Sequence, residues 1–130
     1  MQIEKVKFED AIPVKKMLSK SNGIVNKSKL LQEILSHIEN EDSICMKIVD
    51  KDNNILGVWL SKEFEKHTSL SYFYIAEEIR TMLIVIIFVK ECLSNINRDK
   101  PIIITTKDTT GFDRYVEKIN DTQYLFKGFR

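Results

Sequence analysis

Apolar residues recur at helical spacing over the first forty positions and then give way to strand-like runs. Residues 2–7 carry Ile3 and Val6 between charged neighbours and read as a short first strand. Asp10 is the expected N-cap of a first helix, with Pro13 tolerated in its opening turn. Ile12, Met17 and Leu18 make the apolar face of that helix, and Ser21-Asn22-Gly23 ends it. Residues 26–40 form the clearest amphipathic helix: Leu30, Leu31, Ile34, Leu35 and Ile38 fall on one side, with Lys27, Lys29, Gln32, Glu33 and Glu39 opposite.

From residue 44 the pattern changes. Residues 44–49 and 55–60 are β-rich, and Asp50-Lys-Asp-Asn-Asn54 between them is a strong turn signal, so the pair predicts a β-hairpin. After a charged connection, residues 69–75 predict a third strand antiparallel to the second. Alternation puts one set of Trp59, Tyr72, Phe73 and Tyr74 on the next helix and leaves the other partly exposed. Residues 77–97 predict a long helix, entered by two glutamates and apolar on most sides, hence central and buried. Ile102-Ile-Ile104 predicts a short central strand of the parallel type. A short helix capped by Thr109 is expected to run to about Ile119, and residues 123–129 predict a last strand.

Composition narrows the classes. At 130 residues the chain is long enough for one domain with a core. Its 43% hydrophobic and 30% charged content is that of a globular protein. The net charge of +1 speaks against a dedicated nucleic-acid binder. The longest apolar run, Met82 to Val89, falls far short of the ~20 residues a membrane span needs, so no membrane partner is expected. The first ten residues lack the apolar core of a signal peptide, and a cytoplasmic location follows as an expectation. An excess of lysine over arginine, with abundant isoleucine and asparagine, is the signature of an AT-rich genome. A low-GC bacterium or its phage is the expected source, with the host cytoplasm or the virion as location in the phage case. Cys45 and Cys92 read as free thiols, and His37 and His67 are too isolated to suggest a metal site.

The stretch from Tyr74 to Val89 carries the most specific signal: a polar, acid-containing segment enters an unbroken apolar helix with Arg80 at the join. With the element order strand, two helices, three antiparallel strands, long helix, buried strand, it resembles the Gcn5-related N-acetyltransferases over nearly the whole chain. The resemblance implies an α/β fold with a mixed sheet, central antiparallel strands, a buried central helix and two N-terminal helices. It also implies acetyl-coenzyme A as cofactor, its pyrophosphate held by backbone amides where the fourth strand meets the central helix. Ile75, Arg80, Thr81 and Met82 are the cofactor-binding positions so implied. Arg80 matches the leading Arg of the family's Arg/Gln-x-x-Gly-x-Gly/Ala motif, but Leu83 and Val85 stand where its small residues belong. The motif is therefore degenerate, and both side chains are expected to obstruct a phosphate. Tyr115 matches the family's tyrosine that protonates the leaving thiolate.

For the base, the candidates are Glu63, Glu65 and His67. Independently of the resemblance, Thr105-Thr-Lys-Asp-Thr-Thr-Gly111 follows a buried strand and offers an anion-gripping loop, though without Walker spacing. Three functions follow. The first is a non-catalytic binding or assembly protein on this fold, with a protein partner or as a homodimer, and needing no cofactor. The second is an active acetyl-coenzyme A-dependent transferase acting on an amine. The third is a different fold with a similar middle, such as a PAS-like or roadblock-like sensor.

Overall fold

The computed structural model describes residues 1–24 and 26–129. Its helices are α1 (Ala11–Leu18), α2 (Leu30–Glu39) and α3 (Met82–Leu93). Its strands are β1 (Gln2–Lys5), β2 (Ser43–Val49), β3 (Ile55–Glu63), β4 (Thr68–Ile75), β5 (Ile102–Thr105), β6 (Val116–Lys118) and β7 (Gln123–Phe126). They form one sheet in the order β1-β2-β3-β4-β5-β7-β6, antiparallel throughout except for the parallel β4–β5 pair. The expected mixed α/β sheet is thus present, with its antiparallel strands and parallel buried strand where the sequence placed them. A PAS-like or roadblock-like topology is excluded by this order.

Two apolar layers sandwich the sheet. On one face Val14, Leu18, Leu30 and Ile34 of α1 and α2 pack on Val58 and Leu60 of β3. On the other, Phe88, Val89, Cys92 and Leu93 of α3 pack on Met46, Ile48, Trp59 and Leu70. Each large side chain buried this way contributes roughly 1.5–3 kcal/mol. The hairpin turn is closed by Asp50, whose Oδ1 accepts from the backbone N–H groups of Asp52 and Asn54 at 2.9 Å each.

Four expectations need correction. Asp10 precedes α1, but its carboxylate does not cap that helix. It accepts from the Lys7 amide and from Lys47 Nζ, both at 2.7 Å, because the buried Lys47 ammonium needs a counter-charge. The long helix begins at Met82; Glu77–Ile79 form a separate 3₁₀ turn. α3 is buried against the sheet but not on most sides: Leu83 is 67% exposed and Ile87 49%, because no element covers its outer face among the described residues. Residues 109–119 form no α-helix. A 3₁₀ turn at Asp113–Tyr115 leads into β6, since Asn120 closes a hairpin by accepting from the amides of Thr122 and Gln123. Val116, read as helical, instead pairs with Phe126.

Among the described residues no helix is long and apolar enough to cross a membrane.

Candidate functional site

The site arises where β4 leaves β5. The two strands pair at Thr68–Ile102, Ser69–Ile103 and Leu70–Ile104, and no further. On its other edge β4 stays paired with β3 to Ile75, but the register slips between Leu60–Tyr72 and Ser61–Leu70. Ser71 is the extra residue, a β-bulge at the point of divergence. Bulges bend a strand and re-aim its side chains, and they are common beside ligand sites. Here the bulge lets Leu70, Phe73 and Ile75 face α3 while Tyr72 and Tyr74 face α1 and α2. The alternation of aromatics is therefore as expected on the α3 side. There Trp59 and Phe73 meet edge-on at 6.0 Å, and Phe73 stacks on Phe88. The other set, Tyr72 and Tyr74, is partly exposed as expected, packed against α1 and α2.

The divergence opens a cleft of about 620 Å³. Its rim includes residues 20–24 after α1, the 71–75 edge of β4, the start of α3, and the segment from Thr105 to Tyr115. Beyond Leu70, one edge of β4 has no strand partner, so alternate backbone groups along Ser71–Ile75 point into the opening. At the outer end stands the N-terminus of α3. Thr81 caps it, its Oγ1 accepting from the Ile84 amide at 3.2 Å. Among the described residues the amides of Met82 and Leu83 have no acceptor. They are the unpaired donors that begin any α-helix, and they add to the positive end of its dipole.

All five positions implied by the resemblance, Ile75, Arg80, Thr81, Met82 and Tyr115, line this one cleft. Arg80 folds back, its Nε and Nη2 donating to the Ile75 carbonyl at 3.0 and 2.8 Å, with its guanidinium 5.2 Å from the Tyr74 ring centre. Tyr115 is buried; its hydroxyl touches Met82 Sδ at 3.9 Å and its ring meets Phe129 edge-on at 5.1 Å. Leu83, expected to obstruct a phosphate, projects into solvent and does not line the cleft, whereas Val85 does.

The base candidates lie elsewhere. Glu63, Glu65 and His67 flank the start of β4, at the joined end of the two strands, and none lines the cleft. Glu63 pairs with Lys100 at 3.6 Å and His67 stacks on Phe64. The carboxylates that do line it are Glu77 and Asp108. The sequence marks Asp108 only as part of the Thr105–Gly111 loop and Glu77 only as a helix-entry acid, not as candidates for the base. The Asp108 carboxyl is held below its usual range by the Thr110 hydroxyl and amide.

The Thr105–Gly111 loop borders the cleft, with three of its threonine hydroxyls engaged in hydrogen bonds within the protein. Thr106 Oγ1 donates to carbonyls at Gly23 and Asp108 and accepts from the Asp108 amide. Thr110 is tied to Asp108, and Thr109 to Asp113.

Both cysteines are free, as expected, and burial raises both thiols: Cys45 to about 11, Cys92 further. Neither is a nucleophile at neutral pH.

Neither a protein-family model nor a curated protein matches the chain by sequence. Solved structures do match in fold. An acetyltransferase of the GNAT family from Staphylococcus aureus Mu50 superposes with a TM-score of 0.73 at 13% identity, covering 97% of each chain. A PaiA N-acetyltransferase from Thermoplasma acidophilum in complex with coenzyme A gives 0.69 at 18% identity over 95% of each. The Escherichia coli N-acetyltransferase YhbS, also with coenzyme A, gives 0.68 at 12% identity over 95% of this chain and 78% of its own. By its sheet order, its divergent β4–β5 pair and these likenesses, the chain has the fold of the Gcn5-related N-acetyltransferases.

Proposed function

We propose that the cleft binds a coenzyme A thioester and that the chain transfers its acyl group to an amine. The observation that carries this reading is the pairing of the β4–β5 opening with an exposed α3 N-terminus at its mouth, whose Met82 and Leu83 amides have no acceptor among the described residues. The pyrophosphate would meet the Met82 and Leu83 amides, with Arg80 beside them. The Leu83 side chain is turned away from that approach. The extended arm of the cofactor would run along the unpaired edge of β4, donating to and accepting from its backbone as a strand does. The coenzyme supplies a thioester carbonyl for attack. With such a thioester bound, attack by the amine nitrogen would form the C–N bond as the C–S bond breaks, and Tyr115 would protonate the departing thiolate. The amine proton would pass to solvent water. Two like structures were solved with coenzyme A.

Calorimetric titration of coenzyme A and acetyl-coenzyme A tests this directly. Micromolar binding that weakens about tenfold or more in Arg80→Ala supports it, as loss of a charged hydrogen bond worth ~1.5–3 kcal/mol predicts. Tyr115→Phe should then lower turnover roughly 10²-fold with binding retained. No binding at millimolar ligand rejects it.

A second reading keeps the fold without the chemistry: a non-catalytic binding or assembly role, with a protein partner. It is favoured by the absence of any glycine at the start of α3 and by Val85 facing the cleft. The same titration separates the two.

A further inference from the structure

Arg80 already occupies the strand edge that a ligand would use. The Ala76 amide donates to the Leu56 carbonyl at 2.8 Å, and the register continues through Gly57–Ile75, Val58–Tyr74 and Trp59–Phe73. Hydrogen-bonded and non-bonded pairs alternate along an antiparallel ladder. Ile75 and Phe73 therefore stand at non-bonded positions. Their N–H and C=O groups point away from β3, into the opening that β5 leaves. An extended ligand could meet them as a strand does, at a spacing of ~6.6 Å.

The outer of the two carbonyls is engaged. Arg80 donates to the Ile75 oxygen from Nε at 3.0 Å and from Nη2 at 2.8 Å. The Nε–Nη2 edge is one of the two by which a guanidinium grips a phosphate with parallel bonds, so here it is in use within the chain. The guanidinium lies 5.2 Å from the centre of the Tyr74 ring, which belongs to the layer under α1 and α2, whereas α3 covers the other face of the sheet. A ligand arm that donates to Ile75 must displace Arg80. An anion at the α3 N-terminus attracts the same positive charge.

We infer that Arg80 is a latch that makes the cleft selective for thioesters carrying a pyrophosphate. An anion at the Met82 and Leu83 amides draws the guanidinium off Ile75, and the bared carbonyl then accepts an amide N–H of the extended arm. A thioester of the same arm without its nucleotide has nothing to draw Arg80 away. It must compete with a charged hydrogen bond, which lowers its affinity roughly tenfold or more. This rests on the coenzyme A reading above and assigns to Arg80 the choice between donors.

The test is calorimetric binding of S-acetylpantetheine, the cofactor arm without its nucleotide, to the native protein. It is run with and without saturating inorganic pyrophosphate at matched ionic strength. Acetylpantetheine is uncharged, so the two ligands do not attract each other directly. Pyrophosphate should tighten its binding roughly tenfold, and by linkage acetylpantetheine should tighten pyrophosphate by the same factor. In Arg80→Ala the Ile75 carbonyl is always open. Acetylpantetheine should bind that variant roughly tenfold tighter than the native protein, pyrophosphate should add nothing, and acetyl-coenzyme A should bind more weakly. The coupling measured on the native protein decides the question even if the variant does not fold. A coupling factor of one, with acetyl-coenzyme A still bound, means that Arg80 meets the anion without leaving Ile75. It overturns the latch and leaves the coenzyme A reading standing. Acetylpantetheine affinity that is unchanged or undetectable in a folded Arg80→Ala does the same. Absence of acetyl-coenzyme A binding to the native protein overturns both.

Discussion

The two edges of β4 are held very differently. Along β3 it is paired from Thr68 to Ile75 with one bulge; along β5 it is paired at three positions only. The difference extends to the regions on either side. β1 to β4 form long ladders packed between α1 and α2 on one face and α3 on the other. β5 to β7 are three or four residues each, joined by a 3₁₀ turn and a tight hairpin. Stability is concentrated in the first region, while the seam between the two is left open to make a site. An unpaired strand edge is normally a liability. Here it lines a cleft, where a ligand can take the place of the missing strand.

The comparison can be broken most severely at Phe88, fully buried under α3. Phe88→Ala should cost about 3–5 kcal/mol, read as a lowered urea midpoint. Phe126→Ala, in the half-buried β7, should cost clearly less; equal losses would mean that the second region is as tightly packed as the first.

Next comes the staple that holds the seam's polar mouth. Gly23 accepts from the Lys107 amide at 2.9 Å and from Thr106 Oγ1 at 3.3 Å. A side chain there would run into Thr106 Oγ1. Gly23→Ala is expected to cost about 1–3 kcal/mol by overpacking. Hydrogen exchange should show the loss centred on the 105–111 loop and not on β2 and β3.

A smaller effect is expected at Thr81. Thr81→Ala removes the α3 cap and should cost about 1 kcal/mol. It leaves the Ile84 amide unpaired beside those of Met82 and Leu83. Thermal melts measure the loss, and added coenzyme A should recover part of it if anion binding occurs there.

The mildest effect is a pH slope from His37, within the first region. It is buried, with Nδ1 against the Glu33 carbonyl at 2.8 Å, its edge to Tyr72, and Nε2 without a partner among the described residues. Burial, aided by Lys62, pulls its pKa down, so the folded state keeps it neutral. The unfolded chain binds a proton below about 6.5. The stabilisation is therefore complete above pH ~6.5 and is lost as pH falls through that value toward the lower folded pKa. Melting temperature should fall between pH 7 and 5 in the native protein, and less steeply in His37→Phe.

Legibility followed the range of the forces involved. The 44–60 hairpin could be read because Asp50 satisfies its own turn, two and four residues away. α2 could be read because its apolar face repeats locally. Residues 109–119 misled because Val116 and Tyr115 also suit a short helix. Only pairing of β6 with β7, which sits beside β5, selects the strand. The candidate site was half visible. Arg80 and Thr81 mark the start of α3 in the sequence, but the direction of Leu83 depends on where that helix begins and which face meets the sheet. Glu77 and Asp108 stand in stretches that the sequence marks for other reasons; what makes them notable is the cleft that they border.

The sequence by itself determined the elements and their order, because helical spacing, strand runs and turn residues act over a few positions. With them came the α/β class and the polar-to-apolar junction at Arg80. The tertiary structure alone decided that β4 and β5 part after Leu70 and that Ser71 bulges there. Those features depend on the register of β4 against both β3 and β5, the latter thirty-four residues away, and on which helix covers each face. No local pattern of side chains encodes them.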